Sequence, residues 1–226
     1  MASPERARAA ARADGLAAGL RCMLGAGRPV PCSARGRAVL PSGWAEAVPA
    51  WRFPGRAGTR EAARIRRLPH RLAAAEDLEL VEVTAAGDTP AAASPDGGGL
   101  ESGGPAGGGL DAAAALDLAG VRIGVAEAAL DRATAYLGER LSDGSQLIRR
   151  QLVQGSVADA ATELELCAAD RSGSADVHRR LSEVEWSIAC LFGGGGYLLD
   201  GPARPLHLAR LVADTWAAPA DPGRWG

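Results

Sequence analysis

The chain has 226 residues, with 25 Lys+Arg against 27 Asp+Glu and a formal net charge of −2. Hydrophobic residues make up 47% and charged residues 23%, which excludes a collagen, a small disulfide scaffold and an acidic disordered chain and leaves room for one good core. No apolar run approaches the ~20 residues that span a bilayer, and the balanced charge argues against a bulk nucleic-acid binder.

The average hides an asymmetry. Residues 1–75 hold 14 Arg against Glu5, Asp14, Glu46 and Glu61, a net of +10, and residues 76–226 carry a net of −12. Every basic residue is Arg. The basic region reads as an arm for an anionic partner, as a poorly ordered, compositionally biased tail, or in part as sequence that is not selected coding sequence. Within it, Ser3–Leu24 has the Ala/Arg content of a helix, Gly25–Pro54 is broken by Gly and Pro around Trp44 and Trp51, and Glu61–Ala75 reads as a short basic helix. Arg21 interrupts the apolar stretch Gly15–Leu24, so no secretory signal is read there. Cys22, Cys32, Cys167 and Cys190 form no CxxC pair and have no His at zinc spacing. A reducing, cytoplasmic location is expected.

Leu78–Thr84, LELVEVT, alternates with period two and predicts a strand. Ala91–Gly109 has a linker's Gly/Pro/Ser content. From Leu110 the pattern turns helical. Leu116, Ile123, Leu130 and Leu137 stripe a helix over about Leu110–Leu141, and further stripes predict helices over Ser145–Ala169, Asp176–Phe192 and Pro205–Trp216. The short connections at Ser142–Gly144 and Asp170–Ala175 favour antiparallel neighbours. The expected fold is mainly α: an antiparallel four-helix bundle over 110–217, behind a poorly ordered Arg/Ala/Gly-rich half (a basic region over 1–75, a possible strand and linker over 76–109) and before a tail over 218–226.

Common catalytic patterns are missing: no P-loop lysine, no HExxH, no GxSxG. His70, His178 and His207 read as surface histidines. The sharpest local feature is Gly193–Tyr197, GGGGY, which reads either as a flexible turn or as backbone N–H groups presented to a phosphate.

The order of elements around that turn resembles the C-terminal helical domain of the acyl-CoA dehydrogenase family. Glu139-Arg140, Gly144, Gln151, Gln154, Val157-Ala158-Asp159, Gly193-Gly194, Gly196-Tyr197 and Pro202 hold the pattern, over about Leu110–Trp216. The resemblance implies FAD at a subunit interface. Arg140 would meet the pyrophosphate of a neighbouring subunit's FAD, the turn at Gly193, Gly194 and Gly196 would lie against the same cofactor, and Gln151 would contribute beside them. Arg140 also reads as a helix C-terminal cation, and Gln151 as a hydrogen bond within the bundle. The implied function is participation in FAD-dependent oxidation of an acyl thioester, in a homo-oligomer or beside a full-length dehydrogenase-like subunit. The alternatives are a flavin-free, non-catalytic assembly module and a degenerate gene product.

Several positions depart from the family pattern. Asp143 replaces a Phe and Cys190 replaces a Gln. The family's proton-abstracting Glu is missing at both places where it is expected, about Ala217 and Ala112–Ala115. Asp111, Asp117 and Asp214 lie near but out of register, so no catalytic residue is assigned, and whether the chain is an enzyme stays open. Residues 1–109 are too few for the family's N-terminal helical domain and β-barrel, of which Leu78–Thr84 would be a relic.

Overall fold

The computed structural model describes residues 3–25, 27–54, 56–59, 63–85, 110–198 and 200–216. The expected linker over 91–109 and tail over 218–226 lie outside the described residues.

Four helices form the expected bundle: α4 (Ala112–Glu139), α5 (Gln151–Ala169), α6 (Ala175–Leu191) and α7 (Arg204–Trp216). Between α4 and α5 sit two short strands, β7 (Leu141–Ser142) and β8 (Ser145–Gln146). They pair through Asp143-Gly144, with φ of 52° and 76°, the two positive-φ positions that a two-residue hairpin needs. Side-chain contacts fix the helix directions. His178 reaches Ala115 near the starts of α6 and α4, Arg122 meets Glu185 midway, and Tyr136 meets Phe192 at their far ends. These two helices therefore run parallel, and α5 and α7 return against them.

The front half is folded rather than poorly ordered. The predicted Ser3–Leu24 helix is two helices, α1 (Pro4–Asp14) and α2 (Leu16–Leu24), turning at Gly15. Ser3 caps α1, accepting from the Arg6 N–H at 3.3 Å, with Pro4 in the first turn. Strands β1 (Val30–Pro31), β3 (Ala50–Phe53) and β4 (Arg56–Thr59) make one sheet, and β2 (Arg37–Pro41), β6 (Leu78–Ala85) and β5 (Ala63–Leu68) make another in the order β2-β6-β5. The Leu78–Thr84 strand is thus present, at the centre of its sheet. The expected Glu61–Ala75 helix is instead β5 followed by the short helix α3 (Arg71–Ala75). Partners outside the segment decide this: Arg66 and Arg67 reach across to Glu82 and Glu79 at 2.9 and 3.0 Å, and such cross-strand pairs override a weak helical propensity.

Core packing explains why the front half orders. Every residue of α4 from Asp117 to Glu127 is buried, so the helix is enclosed on all faces rather than along one stripe. Gly120 and Gly124 let α1 in. A Cβ on Gly120 would overlap the Pro4 carbonyl oxygen, and one on Gly124 would overlap that of Arg8. The buried Ala7 and Ala11 of α1 face the same contact, and a Cβ on Gly19 of α2 would lie 2.6 Å from Ala11 Cβ and 3.0 Å from Val121.

Charge follows packing. Arg8 donates to Glu127 at 3.0 Å and to Glu165 at 3.0 Å, and Arg12 to Asp131 at 2.9 Å. Arg28 pairs with the buried Asp117, and Arg52 with Asp111. The sequence asymmetry is in large part complementarity within the molecule.

Gly124→Leu should expel α1, because the obstacle is backbone and no side-chain rotation relieves it. The expected loss is at least about 2 kcal/mol, within the usual cost of overpacking. Chemical denaturation measures it, and trypsin cleavage at Arg6, Arg8 and Arg12 should rise in parallel.

Candidate functional site

The up-down alternation of the bundle gathers the end of α4, the start of α5, the end of α6 and the start of α7 at one end. Arg140, Gln151 and the Gly193–Tyr197 turn all lie there.

Arg140 stands at the C-cap of α4. Its guanidinium lies over the Tyr136 ring, 5.1 Å from the centroid, and donates to the Tyr136 hydroxyl. It is exposed and makes no ion pair among the described residues. The Arg140 carbonyl accepts from the Leu147 N–H at 2.8 Å, which ties α4 to the turn before α5. Asp143, which stands where the family pattern has Phe, accepts from Arg150 at 3.1 Å. Its charge therefore faces a cation. Gln151 opens α5 on the exposed side, without a side-chain partner among the described residues.

The four glycines form one short 3-10 turn, but their reasons differ. Gly193 adopts φ 57°, and a Cβ on Gly196 would strike the Ala189 carbonyl oxygen. Backbone geometry accounts for both. Gly194 and Gly195 have ordinary φ values and open space where a Cβ would stand, so folding does not demand glycine there. Of the three candidates, Gly194 is the one left free for close approach by a ligand. Gly195 has the same freedom and was missed, because the family spacing passes over it. His207 Nε2 lies 3.0 Å from the Gly196 carbonyl and steadies the turn. Beside it, Trp186 meets Tyr197 edge-on at 5.5 Å, Cys190 Sγ lies 3.3 Å from the Tyr197 hydroxyl, and Trp186, Tyr197 and Leu198 are about half exposed or more.

This end fits a diphosphate. It offers an unpaired guanidinium and a glycine turn with open positions, the donor set that oxyanions favour. A cavity of about 390 Å³ lies away from this end, between α1, α4 and the start of α7, with its charges balanced by Arg12 and Arg132 against Glu76 and Asp131. The buried indole N–H groups of Trp51 and Trp216, which have no acceptor among the described residues, lie on β3 and at the far end of α7.

The opposite end of the bundle holds Ala112–Ala115, in the first turn of α4. Ala217 lies outside the described residues. The acids in this neighbourhood have structural duties. Asp111 caps α4, accepting from the Ala114 N–H at 2.8 Å, Asp117 is buried against Arg28, and Asp214 sits 3.7 Å from Arg210 on α7. Among the described residues no group of His, Cys, Asp and Glu could hold a metal, and no helix is long and apolar enough to cross a membrane. All four cysteines are free, and burial pushes the Cys32 thiol up to about 12.

His178 is buried, not at the surface as expected. Arg122, fully buried, donates to both oxygens of Glu185 at 2.9 and 2.7 Å, to Ser182 at 2.8 Å and to the His178 carbonyl at 2.9 Å. It also faces His178 Nδ1 at 3.2 Å. Arg is always a donor, so Nδ1 accepts and the Nε2–H is left for the Ala115 carbonyl at 3.2 Å. Burial, helped by the Arg122 charge, lowers the imidazole to about 4. A histidine depressed in this way contributes stability that is complete above its unfolded value near ~6.5 and is lost as pH falls toward the folded value, about 3 kcal/mol in all. Burial pushes the Glu185 carboxyl up against the pull of Arg122, and this acts in the opposite sense.

Sequence comparisons identify one segment. Residues 112–170 match the family model for acyl-CoA dehydrogenase, C-terminal domain, so the stretch from α4 through α5, with Arg140 and Gln151 inside it, is similar to that domain. The glycine turn lies beyond the match. No curated protein matches the chain. Among solved structures, a variant of the Tcur3481-Tcur3483 steroid ACAD shares 19% identity over 95% of this chain and 72% of its own, with a TM-score of 0.46. An iodide-soaked structure described as an acyl-CoA dehydrogenase from Mycobacterium smegmatis shares 15% identity over 73% of this chain, with a TM-score of 0.43. This chain spans 51% of that one's length.

Two measurements follow. Subtracting the His178→Gln stability profile from that of the native chain should isolate a loss confined to pH ~6.5 down to about 4. Gly196→Ala should cost about 2 kcal/mol through its clash with backbone, whereas Gly194→Ala should leave the melting temperature within a degree or two.

Proposed function

We propose that this chain, whose residues 112–170 are similar to the acyl-CoA dehydrogenase C-terminal domain, is an acyl-CoA dehydrogenase-like subunit that lends one edge of an FAD site to a partner subunit. The observation that carries the reading is the gathering of Arg140, Gln151 and the Gly193–Tyr197 turn at one end of the bundle. Arg140, exposed and unpaired among the described residues, binds the cofactor's diphosphate, and Gly194 lets that group approach the backbone. Gln151 supplies an amide at the rim. When bound, FAD supplies the acceptor for a hydride leaving the acyl chain. The exposed Trp186, Tyr197 and Leu198 beside the turn suit cover by a homologous subunit, a second copy or a full-length dehydrogenase, which completes the site. The three-stranded sheets of the front half do not close into a barrel among the described residues, so the flavin ring rests on the partner.

The second reading, a flavin-free assembly module, is favoured by one observation: the first turn of α4 carries alanines at 112–115 where a base is required. A positioned base contributes roughly 10²–10⁴-fold. Accordingly, anaerobic mixing of the isolated chain, FAD and a panel of acyl-CoA thioesters should give no rapid flavin bleaching.

Purification with the candidate partner should yield a yellow complex. Arg140→Gln should weaken FAD retention about tenfold to a hundredfold, the range for losing a charged hydrogen bond, with the bundle's melting temperature unchanged. A colourless complex, or retention indifferent to Arg140, leaves the assembly module as the surviving reading.

A further inference from the structure

One strand of the front half is bound on one side only. β5 lies at the edge of its sheet, paired to β6 and to no other strand among the described residues. None of its six residues is buried: Ala63, Ile65 and Leu68 are half-buried, and Arg64, Arg66 and Arg67 are exposed. An edge of this kind offers a row of backbone groups to any chain that can pair with it.

The register says which groups those are. The Val83 N–H donates to the Gly36 carbonyl at 2.8 Å, so the odd-numbered residues of β6 bond toward β2 and the even-numbered ones toward β5. Glu82 stands opposite Arg66, and Thr84 opposite Arg64. Arg64, Arg66 and Leu68 therefore turn their backbone N–H and C=O groups inward, to β6. Ala63, Ile65 and Arg67 turn theirs outward, where the described residues offer no partner. This outward row alternates donors with acceptors, and another extended polypeptide matches both at once. The phosphates of a nucleic acid or a lipid surface only accept, and they would leave the carbonyls unpaired.

Side chains select the charge of the incoming strand. Residues opposite one another share a face, so Arg37 of β2, Glu82 of β6 and Arg66 of β5 form one row, with Arg64 beside it. Arg66 donates to Glu82 at 2.9 Å. Arg37 and Arg64 are exposed, and their guanidinium groups have no acceptor among the described residues. This face thus sets three guanidinium groups against one carboxylate. On an added strand, the residues opposite Arg64 and Arg66 fall in non-hydrogen-bonded pairs, where side chains come closest. Carboxylates at those two positions, about 7 Å apart, meet both arginines, and an apolar residue between them meets Ile65. β6 already shows this chemistry on the inner side of β5: Glu82 holds Arg66, Glu79 accepts from Arg67 at 3.0 Å, and Val83 stands opposite Ile65. A second β5 in register would set arginine against arginine, which like-charge repulsion disfavours.

We propose that β5 takes up, as a fourth strand of its sheet, an extended acidic segment of a partner protein, with carboxylates at alternate positions and apolar residues between them. The interaction needs no flavin.

The test is fluorescence anisotropy of a labelled octapeptide of alternating Glu and Val, titrated with the full chain. Saturable binding is expected below about 1 mM. The same peptide N-methylated at its valines, which removes the N–H groups aimed at β5, should bind at least about tenfold more weakly, as should native peptide to Arg64→Glu. Arg64→Lys should keep most of the affinity. Arg64 holds no partner in the fold, so both variants should melt as the native chain does. Absence of saturation, equal binding of the N-methylated peptide, or indifference to Arg64→Glu overturns the proposal. Equal binding of an oligothymidine of the same charge overturns it in favour of a nucleic acid, and self-association of the chain that Arg64→Glu leaves intact and that excludes the peptide overturns it in favour of a second copy.

Discussion

Everything in this molecule is arranged around the enclosure of α4. A helix buried through eleven consecutive residues must be supplied with neighbours on every side, and the bundle's own α5, α6 and α7 cover only part of it. The remaining face is closed by α1 and α2, and it can be closed because Gly120 and Gly124 let two backbones meet without side chains between them. Close approach on that scale gains dispersion contacts along the whole length of α1. It also leaves little tolerance, since interiors packed at crystal-like density feel a single added methylene.

Charged groups supply register where apolar packing gives little direction. Ala and Gly surfaces slide easily. The pairs Arg8–Glu127 and Arg12–Asp131 lie one helical turn apart on both helices, so a slip of α1 breaks both at once. The exposed pair Arg12–Asp131 contributes at most about 1 kcal/mol; Arg8–Glu127, with its carboxylate buried, is the more costly of the two to break. Inside the bundle, Arg122 and Glu185 do the corresponding work between α4 and α6, with His178 and Ser182 taking up the guanidinium's remaining hydrogens. Such a buried pair is costly to break from either side, which makes it a device for specifying one alignment.

The bundle was legible because its helices carry apolar residues at helical spacing and end at short turns with Asp-Gly or capping Ser. In the front half only the Leu78–Thr84 strand and the helical character of Ser3–Leu24 were legible, and the rest was not, for reasons that lie in its partners. Ala7 and Ala11 look like low-complexity filler until α1 is laid on Gly120 and Gly124 of α4, where both are buried and Ala11 meets Gly19 of α2. The arginines of β5 look helical or solvent-borne until Glu79 and Glu82 stand opposite. His178 read as a surface residue because a stripe analysis does not show that α4 would present a buried Arg122 to it. At the candidate site the motif spacing located Arg140, Gln151 and the glycines at one end. The spacing did not separate the glycines the backbone needs, Gly193 and Gly196, from those it does not, because that depends on where the Ala189 carbonyl falls.

The contact between Arg8 and Glu127 joins residues 119 positions apart, and that separation has a cost in time. A chain emerging from the ribosome at about 5–20 residues per second presents α1 and α2 roughly 6–24 seconds before the glycine face that receives them exists. Through that interval Leu16, Leu20, Met23 and Leu24, all buried at the end, lack the α4 part of their packing. The nascent front half therefore exposes apolar surface until α4 arrives, and the yield of folded protein depends on how α2 is kept from aggregating in the meantime.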